Sequence, residues 1–164
     1  MQIKNILVAT LIGFIFWVLL NNTLDPLILA IGAGLALILA LLFCARCNVF
    51  SELKVTPAAF GYTFLYLGVF LVELVKSNLD VASRVITPSL PINPGIVEVK
   101  THLKSRMGRM ILANSITLTP GTLTIDIHED TLYIHWIDVQ TEDKQGATEK
   151  IVRKFEKYLE KIYG

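Results

Sequence analysis

Charged side chains are nearly absent from the first 72 residues of this 164-residue chain, which hold five of its 29 acidic and basic residues. So few charges over such a length exclude an ordinary soluble domain, in which about a quarter of the residues are charged. The other 24 charges lie from Glu73 onward, and the net charge is only +1. The sequence therefore predicts a membrane half followed by a soluble half. It lacks the strong basic excess of a protein that binds nucleic acid.

Cysteine is also scarce. The two cysteines, Cys44 and Cys47, stand as a CxxC pair at the end of the second apolar run. A structural zinc site needs four converging ligands, and no second pair of ligands lies nearby in the sequence. We therefore interpret both cysteines as packing residues, with a redox or metal role as the alternative.

Three apolar runs predict three transmembrane helices, at about residues 5–20, 26–45 and 57–77. The second run has twenty residues and no charge. At about 1.5 Å per residue it spans a hydrocarbon core of about 30 Å. We assign residues 1–83 to this membrane region.

Small residues repeat every four positions along the second run, at Gly32, Ala36 and Ala40. This spacing lets helices approach closely in a membrane. The face they form is a candidate packing surface and, as one hypothesis, a contact through which the chain self-associates.

Ionisable residues are missing from the middle of all three runs. A subunit that carries ions through the bilayer needs such groups near mid-membrane. Glu73 and Lys76, near the end of the third run, are three positions apart and can pair. We interpret them as an interfacial ion pair, with a role in an ion path as the alternative. The basic residues in the short loops are nearly balanced and lean slightly against a cytoplasmic C-terminal domain.

The soluble half begins with a connector at 84–95, which is rich in proline, and continues as a domain at 96–164. The pattern predicts a strand, a helix capped by Ser105, a β-hairpin and a last amphipathic helix at about 147–162. The apolar stripe of that last helix is Ile151, Val152, Phe155, Leu159 and Ile162, and its lysines and glutamates are expected to cover the rest of its surface. The expected fold is therefore three membrane helices followed by a small α+β domain in the order strand–helix–strand–strand–helix.

Alternation in the hairpin predicts its register and its buried face. His128 falls in the turn, and His135 points away from the core. The predicted cross-strand pairs, all on the core face, are Ile127 with Leu132, Ile125 with Ile134, and Leu123 with Trp136.

No arrangement of residues indicates catalysis. His128 and His135 are separated across the hairpin, His102 lies in another connection, and Ser115 has no base that we can place beside it. A glycine-rich phosphate loop is lacking as well. We therefore predict no catalytic, cofactor-binding or metal-binding residues and no cofactor.

The string ANSITLTPGT, followed by an acidic hairpin and HWID, closely resembles the signature of the E-type subunit of the multisubunit Mrp-type (Mnh-type) sodium/proton antiporters. The proline-containing connector before IVEVKT, the RMGRMILAN helix and the three apolar runs match that family too. The resemblance covers essentially the whole chain and is strongest over residues 84–138.

The resemblance implies an accessory, non-catalytic subunit in a prokaryotic cell membrane, which supports the assembly and activity of the antiporter. Its expected partners are large polytopic and small hydrophobic antiporter subunits. The C-terminal domain is expected in the cytoplasm and the amino terminus outside. Related subunits occur in membrane-bound hydrogenases and ferredoxin-linked complexes, so hydrogenase-like partners are an alternative. A stand-alone membrane-anchored module that recruits a soluble protein is a second hypothesis.

The signature residues also have a candidate physical explanation. Asn114 is expected to end the helix, and hydroxyl groups are expected to satisfy backbone groups of an irregular segment after it. Gly121 would permit a backbone conformation that other residues resist. These are structural roles or contacts to a neighbouring subunit. The candidate contact residues here are Asn114, Ser115, Thr117, Thr119, Pro120 and Gly121.

Overall fold

The computed structural model describes residues 2–44, 52, 54, 56–141 and 143–164. The chain forms two compact units, Met1–Leu53 and Lys54–Gly164. Cys47 and the side chain of Cys44 lie outside the described residues, so the interpretation of the CxxC pair stays a prediction.

The first unit is a helical hairpin. Helix α1 (Gln2–Asn21) is followed by α2 (Pro26–Leu39), which continues as a π-helical turn, Ala40–Cys44. Asp25 caps α2 because its Oδ1 accepts a hydrogen bond of 2.8 Å from the Leu27 amide. A cap of this kind satisfies one of the free amides at a helix start.

The second unit holds one long helix and the α+β domain. Its elements are α3 (Pro57–Ile86), β1 (Gly95–Lys100), α4 (Arg106–Leu118), β2 (Thr122–His128), β3 (Thr131–Trp136), α5 (Lys144–Ile151) and α6 (Arg153–Tyr163). The three strands form an antiparallel sheet in the order β1-β3-β2. The last predicted helix is thus two helices, which meet at Val152.

Three helices are long and apolar enough to cross a membrane, at Ile3–Asn21, Pro26–Phe43 and Pro57–Ile86. The predicted fold class, three candidate membrane helices followed by a small α+β domain, is confirmed. Helix α3 continues nine residues beyond the end of the third predicted span.

The core of the domain lies between the sheet and its helices. Strands β1 and β3 supply Val99, Leu132 and Ile134, which are fully buried. The stripe predicted on the last helix is confirmed, since Ile151, Val152, Phe155, Leu159 and Ile162 are at most 4% exposed.

The predicted helix end at Asn114 is wrong, because α4 continues to Leu118. The hydroxyl groups of Ser115 and Thr119 donate to the carbonyls four residues earlier, at 2.7 Å each. These bonds follow the helix instead of competing with it. The residues therefore extend the helix by about one turn.

The predicted hairpin register is partly wrong. Ile127 pairs with Leu132 as expected, but a bulge between Thr124 and Asp126 shifts the rest, so Leu123 lies opposite His135. Leu123 and Ile125 are then 50% and 52% exposed.

Two threonines replace these apolar residues on the side of the sheet that faces α4. The hydroxyl of Thr122 donates to the Ile116 carbonyl at 2.7 Å, and that of Thr124 donates to the Ala113 carbonyl at 3.2 Å. Ile116 is one of the last four residues of α4, whose carbonyls lack regular intrahelical partners, whereas Ala113 lies further inside the helix. The hydrophobic pattern could not show that β2 satisfies a helix end.

The hairpin turn holds a strained residue. Glu129 has φ +52°, a left-handed conformation that costs a residue with a Cβ about 1–2 kcal/mol. At the next position, the Lys100 ammonium donates to Asp130 at 3.3 Å and lowers the pKa of that carboxyl group.

We expect Glu129→Gly to stabilise the domain by about 0.5–1 kcal/mol, because glycine adopts positive φ without that strain. Arg109 donates to the backbone carbonyl of Glu129, and the substitution keeps this bond. Thermal unfolding of the purified full chain in detergent measures the change. Asp130→Gly, at a position outside the positive-φ region, is the matched control and should lower the melting temperature. A lower melting temperature for Glu129→Gly would contradict the assignment.

Candidate functional site

Most of the signature hydroxyl groups form hydrogen bonds within the domain. Ser115 and Thr119 are 3% and 5% exposed, so they are not surface contacts in this unit. Thr117 is exposed, and its Oγ1 accepts a hydrogen bond of 3.1 Å from the Thr124 amide. Asn114 is exposed too. Only the exposed residues of the predicted set therefore offer a surface to another protein.

Gly121 forms a corner where three elements of the unit meet. Its φ is +92°, as expected from the sequence, and a Cβ at this position would lie 3.1 Å from Ile137 Cγ2 and 3.7 Å from Val81 Cγ2. Val81 belongs to α3. The glycine thus allows both a positive φ and a close approach of α3.

A buried hydrogen bond joins the same two parts of the unit. The Tyr66 hydroxyl on α3 bonds to the Ser115 hydroxyl on α4, and both residues are at most 8% exposed. Ser115 is thereby a point of attachment for α3. Sequence patterns could not indicate this pair, because the partners are 49 positions apart.

We expect Ser115→Ala to lower the stability of the full chain by about 1–3 kcal/mol, since it leaves the buried Tyr66 hydroxyl without this partner. Adding Tyr66→Phe should recover part of the loss, because the two hydroxyls are then both removed. A thermal double-mutant cycle measures the coupling. Losses that simply add would show that the two hydroxyls are not coupled.

A cavity of about 230 Å³ lies between α3 and the domain. The segment Thr119–Thr122 forms part of its wall, together with Trp136 and Ile137. The second half of the signature therefore lines the junction with α3. The charged residues around the cavity are Glu73, Lys76, Asp80, Arg84, Asp138, Lys150 and Lys154.

These charges are largely paired with one another. Arg84 bonds Asp80 at 2.7 Å and Asp138 at 2.9 Å, and it also donates to the Pro91 carbonyl at 2.7 Å. Arg84 thus ties the end of α3 to both the connector and the sheet. A bidentate cation of this kind positions elements, and its pairing leaves little charge for a ligand.

The predicted pair of Glu73 and Lys76 lies at 3.4 Å, and Lys154 approaches Glu73 more closely, at 2.7 Å. Lys76 is 70% exposed, whereas the Lys154 side chain is 32% exposed. The contact between α3 and α6 is therefore the tighter one. It gives Glu73 a structural role that sequence spacing did not reveal.

For Glu156, the prediction of its exposure from the helical pattern is wrong. We expected it among the polar residues that cover the last helix, but it is fully buried. Its Oε1 accepts from the Thr101 hydroxyl at 2.5 Å and the His102 amide at 2.6 Å, and its Oε2 bonds Arg153. Its position four residues after Val152 puts it on the buried stripe, and that spacing is the signal that could have found it.

Among the described residues, one group of three could hold a metal ion by distance: His102, Glu156 and Glu160. Arg153 lies against it, with its guanidinium nitrogens 3.3 Å from both ring nitrogens of His102. Both carboxylate oxygens of Glu156 are already engaged, so a cation there would compete with Arg153. His128 instead contacts Asp126 at 2.8 Å, and His135 pairs with Leu123 and Ile96.

The small-residue face of α2 is used within its own hairpin. Gly32, Ala36 and Ala40 are buried. A Cβ on Gly32 would fall 2.2 Å from the Trp17 ring, and one on Gly13 would fall 3.3 Å from the Ala36 Cβ. The small residues therefore allow α1 and α2 to pack closely together, and α1 covers the face of α2 that carries Gly32, Ala36 and Ala40.

The sheet carries an exposed apolar patch. Ile96, His135 and Leu123 lie side by side across β1, β3 and β2, so their side chains share a face. Ile96, Leu123 and Ile125 are 65%, 50% and 52% exposed, and we call these three residues the open-face patch. Such a patch on the rim of a small domain is a feature of protein contact surfaces.

These features define a class of protein: a membrane protein with a hairpin of two apolar helices, and with a third apolar helix packed onto a small α+β domain. Its polar side chains mostly serve internal packing. The chain belongs to the MNHE family, described as "Na+/H+ ion antiporter subunit", which it matches over residues 10–162.

The similarity to named relatives agrees with this assignment. Two Staphylococcus aureus proteins, each named as the E1 subunit of a Na(+)/H(+) antiporter and coming from strains bovine RF122 / ET3-1 and JH9, are 32% identical over 160 residues, covering 90% of this chain and 95% of theirs. A chain of an archaeal respiratory membrane complex, the membrane-bound sulfane sulfur reductase, is 44% identical with a TM-score of 0.84, covering 94% of this chain and 96% of that one. A chain of the Mrp complex from Dietzia sp. DQ12-45-1b is 25% identical with a TM-score of 0.45, covering 64% and 96%.

Proposed function

We propose that this chain is an accessory subunit of a multisubunit sodium/proton antiporter, where it supports assembly and has no active site of its own. The observation that carries this proposal is the family match over residues 10–162. The sequence supports the non-catalytic role, since no ionisable residue stands between Lys4 and Asp25 or between Asp25 and Arg46. An ion path needs such residues at mid-membrane.

The α+β domain lies in the cytoplasm in this proposal, and the open-face patch contacts another subunit of the complex. The patch is apolar and solvent-exposed in the isolated unit. Asn114 and Thr117, the exposed members of the signature, are further candidates for such a contact. A photo-crosslinking amino acid at Leu123 should capture a neighbouring subunit in native membranes. The same group at Glu149, which is 76% exposed on α5, is the control and should capture much less.

A second candidate function rests on the similarity to the archaeal respiratory chain, which shares more identity with this chain than the antiporter relatives do. In that case the chain is the equivalent subunit of the antiporter module in a respiratory membrane complex. In both the antiporter and the respiratory complex the chain would contact antiporter-like subunits, so one fold can have the same accessory role in each.

Purification from native membranes in a mild detergent tests both proposals. We expect the chain to be recovered with large polytopic and small hydrophobic subunits, and a strain lacking it should lose sodium/proton antiport in vesicles. Additional redox subunits would select the respiratory complex. Recovery of the chain alone, or with a soluble partner only, would overturn the assembly role and favour a stand-alone recruitment module.

A further inference from the structure

Helix α3 has one face packed against the α+β domain along nearly its whole length. The contacts are apolar, hydrogen-bonded and ionic in turn. Just before the helix, the Lys54 amide donates to the Ile162 carbonyl at 3.1 Å. Along the helix, the contacts are the Tyr66 and Phe155 rings at 6.4 Å, Glu73 with Lys154 at 2.7 Å, and Arg84 with Asp138 at 2.9 Å.

Helix α6 packs against the part of α3 that hydropathy places in the membrane, 57–77. Its Phe155 ring lies 6.4 Å from the rings of Tyr66 and Phe70, and its Lys154 bonds Glu73. Six of the eleven residues of α6 are charged, and Lys157 and Lys161 are exposed to solvent. If α3 crossed the bilayer, α6 would enter it as well. Lysine and arginine side chains are costly at mid-depth in a bilayer and are rarely found there without a partner. The packing of α6 therefore argues against a crossing at α3.

The free face of α3 is apolar from one end to the other. Asn78 is the main exception, and its amide donates to the Leu74 carbonyl of the same helix at 2.7 Å. The exposed apolar side chains along the helix include Phe60, Phe64, Leu67, Leu71, Val75, Leu79, Val85 and Ile86. This row runs from Phe60 to Ile86, or about 39 Å along the helix, which is longer than a hydrocarbon core of about 30 Å. The other side of the helix is covered by the α+β domain, so the domain supplies most of the charge and α3 supplies the apolar face of an arrangement that suits the membrane surface.

The basic residues near the apolar runs support the same arrangement. If only α1 and α2 cross, Lys4, Arg46, Lys54 and all later basic residues lie on one side of the membrane. The α1–α2 connection, on the other side, contains Asp25 and no lysine or arginine. With three crossings, the lysines and arginines near the membrane are almost equally divided between its two sides. With two crossings they are all on one side, as the positive-inside rule requires.

We infer that α3 lies along the membrane surface, with its free face in the boundary between headgroups and acyl chains, and that the chain crosses the bilayer only twice. The lipid bilayer is the occupant of that face. The amino terminus and the domain are then on the same side, instead of the opposite sides expected from three crossings. The number of crossings is inferred without reference to the proposed function. The assignment of the domain's side to the cytoplasm rests on that function.

Labelling of single cysteines in the full chain counts the crossings. With Cys44 and Cys47 replaced by serine, Leu24→Cys marks the α1–α2 connection and Lys104→Cys marks the domain. An impermeant maleimide should label the two positions from opposite sides of sealed membrane vesicles. Labelling of both from the same side would mean three crossings and would overturn the inference. The comparison is independent of whether the chain joins an antiporter.

Nitroxide labels on the free face of α3 identify what covers it. In the full chain in vesicles, labels at positions 60, 71, 75 and 85 should all lie at one shallow depth, measured by relaxation with oxygen and with a water-soluble nickel complex. A helix that crosses would spread positions 60 and 85 over about 37 Å. That gradient would overturn the inference, and so would labels in the assembled complex that neither reagent reaches, because a partner protein would then cover the face.

Discussion

Glu156→Ala is expected to lower the stability of the α+β domain by about 3 kcal/mol, the largest effect that we expect from a single change there. The carboxylate is fully buried and accepts from Thr101 and His102 while it pairs with Arg153. Its removal leaves the buried Thr101 hydroxyl and the His102 amide without this acceptor. Each orphaned group costs about 1–3 kcal/mol. Thermal unfolding of the purified full chain in detergent measures the loss.

Two further variants separate the hydrogen bonds from the charge. Glu156→Gln keeps an oxygen for Thr101 and His102 but removes the ion pair with Arg153, so it should destabilise less than Glu156→Ala. Glu149→Ala, on the neighbouring helix and 76% exposed at the side chain, is the matched control and should change the melting temperature little. If Glu156→Ala behaves like Glu149→Ala, the carboxylate does not join these segments as we describe.

The case of Glu156 shows what helical periodicity can and cannot predict. The buried stripe of the last two helices followed from the spacing of Val152, Phe155 and Leu159. Glu156 lies on the same stripe, but its burial depends on partners more than fifty positions away in sequence. A pattern within one helix contains no information about such partners. The buried apolar stripe was therefore predicted correctly, and the buried carboxylate on it was missed.

The hairpin shows a second limit. Alternation placed Leu123 and Ile125 in the core, and it would have been right for a regular strand next to an ordinary sheet. Thr122 and Thr124 instead donate to the Ile116 and Ala113 carbonyls of α4, and a bulge between Thr124 and Asp126 shifts the register, so that Leu123 and Ile125 are exposed. Local alternation could not show this competition between a helix end and a hydrophobic face.

The absence of ionisable residues in mid-span, by contrast, could be read directly from the sequence, and it supports the accessory role that we propose.

Hydropathy has a similar limit at α3. The composition of 57–77 is sufficient for a membrane span, but composition does not show that one face of the helix is covered by a charged helix. The polar residues of α3, among them Tyr66, Glu73 and Arg84, recur on the side that meets the domain. The distinction between crossing the membrane and lying on it therefore needs the tertiary contacts.

Gly32→Ala should disrupt the α1–α2 hairpin and destabilise it by about 1–3 kcal/mol, because the added methyl group has no space. Its Cβ would lie 2.2 Å from Trp17 Cδ1 and 2.5 Å from Nε1. Trp17 is held in place, since its Nε1 donates to the Ile28 carbonyl at 3.0 Å. The methyl group must therefore move the indole and break this bond, or push the helices apart. In a membrane, close packing and interhelical hydrogen bonds are the main attractions between helices, so both outcomes weaken the pair.

The sequence provides a matched control and a specific signal for this change. Gly34 lies on the same helix, and a Cβ there would meet nothing within 4 Å, so Gly34→Ala should leave the hairpin intact. The chain has two tryptophans, Trp17 and Trp136, so Trp136→Phe leaves Trp17 as the only tryptophan, which can be excited selectively at the red edge of its absorption. In that background Gly32→Ala should shift the Trp17 emission and lower the melting temperature in detergent, whereas Gly34→Ala should change neither. Equal spectra and equal melting temperatures for the two alanine variants would show that Gly32 and Trp17 are not in contact, and the face of Gly32, Ala36 and Ala40 would then be free to meet a second copy of the chain.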